Sequence, residues 1–102
     1  MRVDVVGRNL EVTAAIRAHA ESKAQKLHRH YNGIQLITFR LSREDHKNHG
    51  DFGVELVIDV VKHDDFVARE QGPDLYVAID EAVATGSRQL TAFKEKLREP
   101  HR

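Results

Sequence analysis

The side chains of this sequence best placed to do chemistry are cations spaced along a segment that we predict to be helical, from Ala14 to about His30. Five basic residues fall on one flank of that helix at 3.6 residues per turn: His19, Lys23, Lys26, Arg29 and His30. The other flank carries Glu21 and His28. A cationic helix edge can face nucleic-acid phosphates by charge alone. Lysines at this spacing are also typical of an ordinary solvated helix, so both interpretations stay open.

A second set of cations lies near the end of the chain, where it alternates with acids. The cations are Arg88, Lys94, Lys96 and Arg98, and the acids are Asp80, Glu81, Glu95 and Glu99. Helical spacing predicts that Arg88 and Lys96 point away from the sheet and that Lys94 lies nearer the opposite flank, beside the apolar stripe. Pairing of Glu95 and Lys96 with neighbours would stabilise this helix by only about 0.2–0.5 kcal/mol.

Seven histidines raise the question of a metal site. His46 and His49 have an H-x-x-H spacing, but they lie in a polar stretch with no helix to set ligand geometry. His28 and His30 point to different sides of their helix. Asp64 is followed by a second aspartate, a pair that is typical of a turn and not of acid–base chemistry. We therefore expect no catalytic residue, no metal and no cofactor, with a metal-dependent enzyme using His46 and His49 as the weakest alternative.

The element around which the chain is organised is a predicted helix from Asp74 to Leu97. Its apolar stripe comprises Leu75, Ile79, Ala82, Val83, Gly86, Leu90, Phe93 and Leu97. Asp74 is a good N-cap, and Pro100 ends the helix because it lacks the N–H that the next turn requires. A glycine inside the stripe costs about 1 kcal/mol relative to alanine. We therefore expect Gly86 to allow close approach to the sheet or to a bulky side chain such as Phe39.

Four stretches alternate apolar and polar residues and are predicted to be strands. They are Arg2–Val6, Leu36–Ser42, Phe52–Lys62 and Phe66–Gln71, with a tight turn at 63–65. Thr13 is the predicted N-cap of the first helix. The order is β-α-β-β-β-α, an α+β fold with a four-stranded sheet and two helices on one face. The other face should be wet, and it carries Arg2, Asp4, Arg40, Glu55, Asp59 and Arg69.

Composition limits the classes of protein to which the chain can belong. Its 102 residues predict a single domain over 1–102. Lys plus Arg and Asp plus Glu number 16 each, so only an uneven distribution of charge would favour nucleic acid. There is no cysteine, which excludes a disulfide framework and is consistent with a reducing, cytoplasmic setting. We see no signal-peptide pattern and no apolar run long enough to span a membrane.

Several motifs together resemble the ribosome hibernation promoting factors, also called ribosome-associated inhibitors or sigma-factor modulation proteins. The matching stretches are Leu10-Glu11-Val12-Thr13, Lys23–Leu27, Asp74–Asp80, Arg88-Gln89-Leu90 and Lys94–Leu97. The resemblance covers nearly the whole chain. Its most specific part is D-L-Y-V-A-I-D followed at the same spacing by R-Q-L, whereas the K-x-x-K element alone is common.

The resemblance implies a domain that is similar to double-stranded-RNA-binding folds. It also implies that this domain catalyses no reaction. It implies binding to the rRNA of the small ribosomal subunit where mRNA and tRNA lie, and inhibition of translation in stationary phase or stress. It gives RNA-contacting positions on both helices, of which Lys94 is the weakest: Lys23, Lys26, Arg29, Arg88, Lys94 and Lys96. No small-molecule substrate or membrane is implied, and the oligomeric state stays open. The chain ends soon after the second helix, so a short, hibernation-promoting form is expected.

The sequence departs from the family pattern on the second helix. Family members usually carry lysine where this chain has Thr85 and Ala92, and a large apolar residue at Gly86. The basic surface is therefore thinner than usual, which implies weaker RNA binding or a different partner. The alternative hypothesis is a protein-interaction or regulatory module on the same scaffold.

Overall fold

The structure is a computed structural model that describes residues 1–44 and 51–98. The elements are β1 (Arg2–Arg8), α1 (Ala14–His30), β2 (Ile34–Glu44), β3 (Asp51–Val60), β4 (Phe66–Gly72) and α2 (Leu75–Arg98). This β-α-β-β-β-α order confirms the predicted α+β fold, with both helices on one face of a four-stranded sheet. The bounds differ from those predicted by only a few residues.

The four strands lie in the order β1-β2-β3-β4, with β1 parallel to β2 and the other neighbours antiparallel. The predicted inward residues of the two central strands are buried, and they include Phe39 on β2 and Leu56 on β3. β3 ends at Val60 and does not continue to Lys62 as predicted. Lys62 has φ 58°, a left-handed conformation that turns the chain towards β4.

Both helices begin at the predicted caps. The Thr13 hydroxyl accepts a hydrogen bond from the backbone N–H of Ile16 at 3.2 Å. The Asp74 carboxylate accepts from the backbone N–H groups of Tyr76 and Val77 at 3.0 and 3.2 Å. Each cap satisfies N–H groups that have no partner inside the helix, and this fixes where the helix starts. None of the helices among residues 1–44 and 51–98 is long and apolar enough to cross a membrane.

α2 packs tightly against the sheet at Gly86. A Cβ placed on Gly86 would lie 2.9 Å from Ile58 Cδ1 and 3.2 Å from Leu56 Cδ2. This confirms the predicted close approach of Gly86 to the sheet. The side chains that Gly86 contacts belong to β3, and Phe39 is not among them.

The last turn of α2 extends beyond the sheet. The prediction that Leu97 belongs to the apolar stripe is wrong, because this side chain is 59% exposed. Phe93 already contacts the first residue of β4, so the next turn has no strand beneath it.

The two helices run parallel to each other. Near their starts His19 of α1 contacts Asp80 of α2, and near their ends His30 contacts Lys94. Their C-terminal halves therefore lie at the same end of the molecule. This alignment decides which charges of the two helices become neighbours.

Candidate nucleic-acid interface

The C-terminal half of α1 presents cations to solvent. Between residues 23 and 30 the helix carries Lys23, Lys26 and Arg29 and no acid. Lys26 and Arg29 are exposed, and neither has a carboxylate partner within 4 Å among the described residues. These two side chains are therefore free to meet a phosphate without first breaking an ion pair.

Lys23 is differently placed, because it lies in the groove between the helices. Its Nζ is 3.5 Å from Asp80 Oδ1 on α2, and its side chain is only 25% exposed. His19 Nε2 lies 2.7 Å from the same oxygen, and the His19 ring meets the edge of the Tyr76 ring at a centroid distance of 5.0 Å. Asp80 thus holds two basic side chains of α1, and one predicted RNA contact is engaged within the protein.

Lys94 also joins the two helices. Its Nζ donates a hydrogen bond of 3.3 Å to the backbone carbonyl of His30, the last residue of α1. The last carbonyls of a helix lack partners inside the helix and carry partial negative charge, so a lysine here is favourable. Lys94 is exposed, and the bond holds its ammonium group close to the cations of α1.

Arg88 and Lys96 point in different directions. Asp80 marks the side of α2 that faces α1, and at 100° per residue Arg88 lies about 80° and Lys96 about 160° from it. Arg88 is exposed and donates to the Thr85 hydroxyl at 3.0 Å. Lys96 lies two turns after Gln89, whose amide contacts the Val67 carbonyl of β4. Lys96 therefore lies on the β4 flank and does not share the outward face of Arg88, whereas the sequence had predicted that both side chains point away from the sheet.

The parallel helices collect the cations of a neutral chain at one end. The first half of α2 carries Asp80 and Glu81 and no lysine or arginine, whereas the sequence of its second half carries four cations, Arg88, Lys94, Lys96 and Arg98, and one acid, Glu95. The cationic half of α1 lies beside that second half. We call this region the helix-end surface and define it by Lys23, Lys26, Arg29, Arg88 and Lys94. Its charge can attract phosphates although the net charge of the whole chain is zero.

The opposite face of the sheet is polar, as predicted, but its cations are neutralised. Glu55 accepts hydrogen bonds from Arg40 at 2.8 Å and from Arg69 at 3.0 Å. The Arg40 hydrogen bond is the largest cause of a lowered pKa at Glu55. Arg2 is similarly paired with Asp4 at 2.9 Å. An open hollow of about 630 Å³ lies over the Glu55 region, but its charges cancel. The helix-end surface is therefore the better phosphate-binding candidate.

The metal hypothesis finds no support in the described part of the chain. His46 and His49 lie outside the described residues. Within ranges 1–44 and 51–98, no three histidines or carboxylates come together in a way that could hold a metal ion.

Reasoning from the sequence missed the role of Asp80. Asp80 directly follows the buried Ile79, and a rotation of 100° places it on the flank of α2 that meets a neighbouring helix. The sequence therefore contained a signal for an interhelical acid. It did not reveal that Lys23 would be the lysine on the other side of the groove.

The geometry defines an α+β domain with two parallel helices on a mixed sheet. The crystal structure of the N-terminal domain of Thermus thermophilus Protein Y has this fold, with a TM-score of 0.80, 32% identity, and coverage of 91% of this chain and 99% of that one. A ribosomal subunit interface protein from Coxiella burnetii shares the fold at a TM-score of 0.78 and 19% identity, covering 93% of this chain and 99% of its own.

Residues 3–98 match the family described as Sigma 54 modulation protein / S30EA ribosomal protein, and the chain belongs to this family. The ribosome hibernation promoting factor of Escherichia coli K12 is 29% identical over 99 residues, which are 97% of this chain and 99% of that protein. The factor of the same name from Azotobacter vinelandii is 32% identical over 96 residues, or 94% and 85% of the two chains. This membership confirms the family resemblance. The matched relatives are ribosome factors and not enzymes, which also confirms the expectation that the chain is not an enzyme.

Proposed function

We propose that this protein is a cytoplasmic factor that binds the rRNA of the small ribosomal subunit, occupies the mRNA and tRNA channel, and inhibits translation in stationary phase or stress. The observation that carries the proposal is the helix-end surface, where the exposed Lys26 and Arg29 of α1 lie beside the cationic half of α2. The names of the family and of its matched relatives support a ribosomal partner.

The proposed mechanism is occupancy and not catalysis. Phosphate contacts by lysine and arginine supply affinity that does not depend on base sequence, and they release counterions from the RNA. A sheet beneath the helices fixes the spacing of the cations, so little conformational entropy is lost when the backbone of an rRNA strand is bound. A folded domain held in the channel would then exclude mRNA and tRNA by its volume.

Sedimentation of a stationary-phase lysate through a sucrose gradient tests the proposal. We expect the protein to travel with small subunits or whole ribosomes at low salt and to leave them as salt increases. Lys26→Glu combined with Arg29→Glu should move it to the top of the gradient without unfolding it, because both side chains are exposed.

A matched control separates the surface from the overall charge. Arg8→Glu combined with Arg17→Glu makes the same change in net charge, at exposed residues that lie outside the helix-end surface. This variant should still sediment with ribosomes. A wild-type protein that stays at the top of the gradient at low salt would refute the proposed function.

One observation favours a second candidate, a protein-interaction module. The outward face of α2 alternates in charge along Glu81, Arg88 and Glu95, which lie seven residues apart. Mixed charge suits a protein partner better than a phosphate backbone. Pull-down from nuclease-treated extract discriminates between the two, because a protein partner would survive digestion of the RNA.

A further inference from the structure

Four rings pack together at the end of the molecule where both helices finish. We call this group the aromatic corner: Tyr31 after α1, His63 between β3 and β4, Phe66 at the start of β4, and Phe93 on α2. Phe93 lies at centroid distances of 5.5 Å from Tyr31, 5.4 Å from Phe66 and 4.4 Å from His63. His63 stacks on Phe66 at 4.6 Å, with only 11° between the ring planes.

His63 is the outermost ring of the corner, and it is held in a defined orientation. Its Nδ1 lies 2.6 Å from the backbone carbonyl of Asp64, which restrains rotation of the imidazole. Phe66 stacks on one face of the imidazole. Phe93 meets the imidazole at a tilt of 56°, with 4.4 Å between the ring centroids. His63 is exposed, and because Phe66 stacks on one face of its ring, a further flat group would have to stack on the opposite face.

Closure of the core explains the three other rings but not His63. Tyr31, Phe66 and Phe93 are half-buried and pack against the buried cluster, as expected for aromatic side chains at the edge of a core. An exposed, polar ring adds little to that closure. Its stacking and its restrained orientation do, however, produce a flat surface ready to receive another flat group.

The aromatic corner borders the helix-end surface. Lys94 follows Phe93 in the chain, and its ammonium group is bonded to the carbonyl of His30, the residue before Tyr31. Asp64 and Asp65 follow His63 and are exposed, so a phosphate directly above this turn is disfavoured. A neutral ring above His63, with its phosphate on the Lys94 side, satisfies both conditions.

We propose that the aromatic corner stacks an unpaired nucleobase of a bound RNA on the face of His63 opposite Phe66. Proteins that bind single-stranded RNA combine cations for the backbone with aromatic side chains on which bases stack. This inference rests on the proposed function, since it assumes that RNA is the partner of the neighbouring cations. It adds that part of that RNA is single-stranded and contributes a base as well as phosphates.

The test compares two strands that differ only in their bases. Fluorescence anisotropy at low salt measures the affinity of the protein for a short oligoadenylate and for an abasic ribose-phosphate strand of equal length. We expect the wild-type protein to bind the oligoadenylate about tenfold more tightly, the scale of one base stacked on an aromatic side chain. His63→Ala should remove this difference while leaving the affinity for the abasic strand and its salt dependence unchanged.

Two further variants complete the test. His63→Phe should show the same preference for the oligoadenylate as the wild-type protein, because phenylalanine keeps a flat ring at this position. Lys26→Glu should lower the affinity for both strands by the same factor. Equal affinities of the wild-type protein for the two strands, binding of neither strand, or a preference that survives His63→Ala would each overturn the stacking proposal. Sedimentation with ribosomes is scored separately. Ribosome association without a base preference would refute the stacking alone, and a base preference without ribosome association would refute the proposed function.

Discussion

Lys23 and Asp80 join α1 to α2, with 3.5 Å between Lys23 Nζ and Asp80 Oδ1. Asp80 Oδ1 also lies 2.7 Å from His19 Nε2, so one carboxylate of α2 contacts two basic side chains of α1. The arrangement aligns the two helices but occupies a cation that the family pattern assigns to RNA. A phosphate that approaches Lys23 must therefore compete with Asp80 or share the ammonium group with it.

Asp80→Asn should strengthen binding to RNA. The change releases Lys23 and removes a negative charge from the groove, so we expect ribosome affinity at low salt to rise by about twofold to fivefold, the equivalent of an exposed ion pair. The cost in the free energy of unfolding should be no more than about 1 kcal/mol, because the Asp80 side chain is 44% exposed. Co-sedimentation with purified ribosomes and urea denaturation measure the two effects.

Glu81→Gln is the matched control for Asp80→Asn. It removes the same charge from the adjacent, exposed residue, which has no ion-pair partner among the described residues. A gain in affinity equal to that of Asp80→Asn would show that bulk charge, and not the release of Lys23, is responsible.

The salt dependence of RNA affinity should show which of the predicted RNA contacts meet a phosphate. Each phosphate contact contributes about 0.7–0.9 to the slope of log affinity against log salt concentration. Lys26→Gln and Arg29→Gln should each reduce the slope by about that amount, because both side chains are exposed and neither has an ion-pair partner among the described residues. Lys96→Gln should reduce it less, since Lys96 lies on the β4 flank. Equal reductions at Lys96 and Lys26 would show that the bound RNA wraps around α2.

Local rules in the sequence were sufficient to predict most of the fold. Alternation identified Phe39 and Leu56 as inward residues, and cap chemistry placed both helix starts at Thr13 and Asp74. These features depend on residues within a few positions of each other. The apolar spacing alone also identified Gly86 as a point of close packing.

The features that the sequence could not predict depend on how one element is aligned with another. The exposure of Leu97 follows from where β4 starts, and the pairing of Lys23 with Asp80 follows from the relative shift of two parallel helices. His63 was predicted only as part of a turn, because its ring partner Phe93 lies thirty residues further along the chain. Periodicity determines which face a side chain occupies, but it does not determine which neighbour it meets.

Because of Glu55, the free energy of unfolding should decrease as the pH falls into the acid range. Its pKa is lowered in the folded protein, chiefly by the Arg40 hydrogen bond, so its stabilising effect is present above the unfolded pKa. That effect is lost as the pH falls through the lower, folded pKa. The effect is about 1 kcal/mol at most, because Arg40 and Arg69 are 62% and 73% exposed.

Urea denaturation of the wild-type protein and Glu55→Gln, at neutral pH and below pH about 4, measures this difference. We expect the wild-type protein to be the more stable at neutral pH and the two free energies of unfolding to converge in acid. Glu21→Gln, at an exposed position on α1 with no ion-pair partner among the described residues, should leave the free energy of unfolding at neutral pH close to that of the wild-type protein. A constant gap between wild type and Glu55→Gln across the pH range would mean that the effect of Glu55 does not come from its charge.

The packing at Gly86 predicts opposite responses to a small and to a large side chain. Alanine brings only a Cβ, which meets Ile58 Cδ1 at 2.9 Å, the movable end of a side chain. The gain of about 1 kcal/mol in helix propensity should offset that shift, leaving the free energy of unfolding nearly unchanged. Leucine must displace Ile58 and Leu56, which are both fully buried, and overpacking of this kind costs about 1–3 kcal/mol.

Ala84→Leu provides the matched control, because Ala84 is exposed on the same helix two residues earlier. Its effect on the free energy of unfolding should stay within about 0.5 kcal/mol, as for most surface substitutions. Thermal or urea denaturation of the three variants should therefore rank Gly86→Leu as the least stable. If Gly86→Leu matched Ala84→Leu, α2 could move away from β3 at small cost. The contact between Gly86 and β3 would then not fix the position of α2 on the sheet. The distance between the cations of α1 and those of α2 would therefore not be rigidly set either.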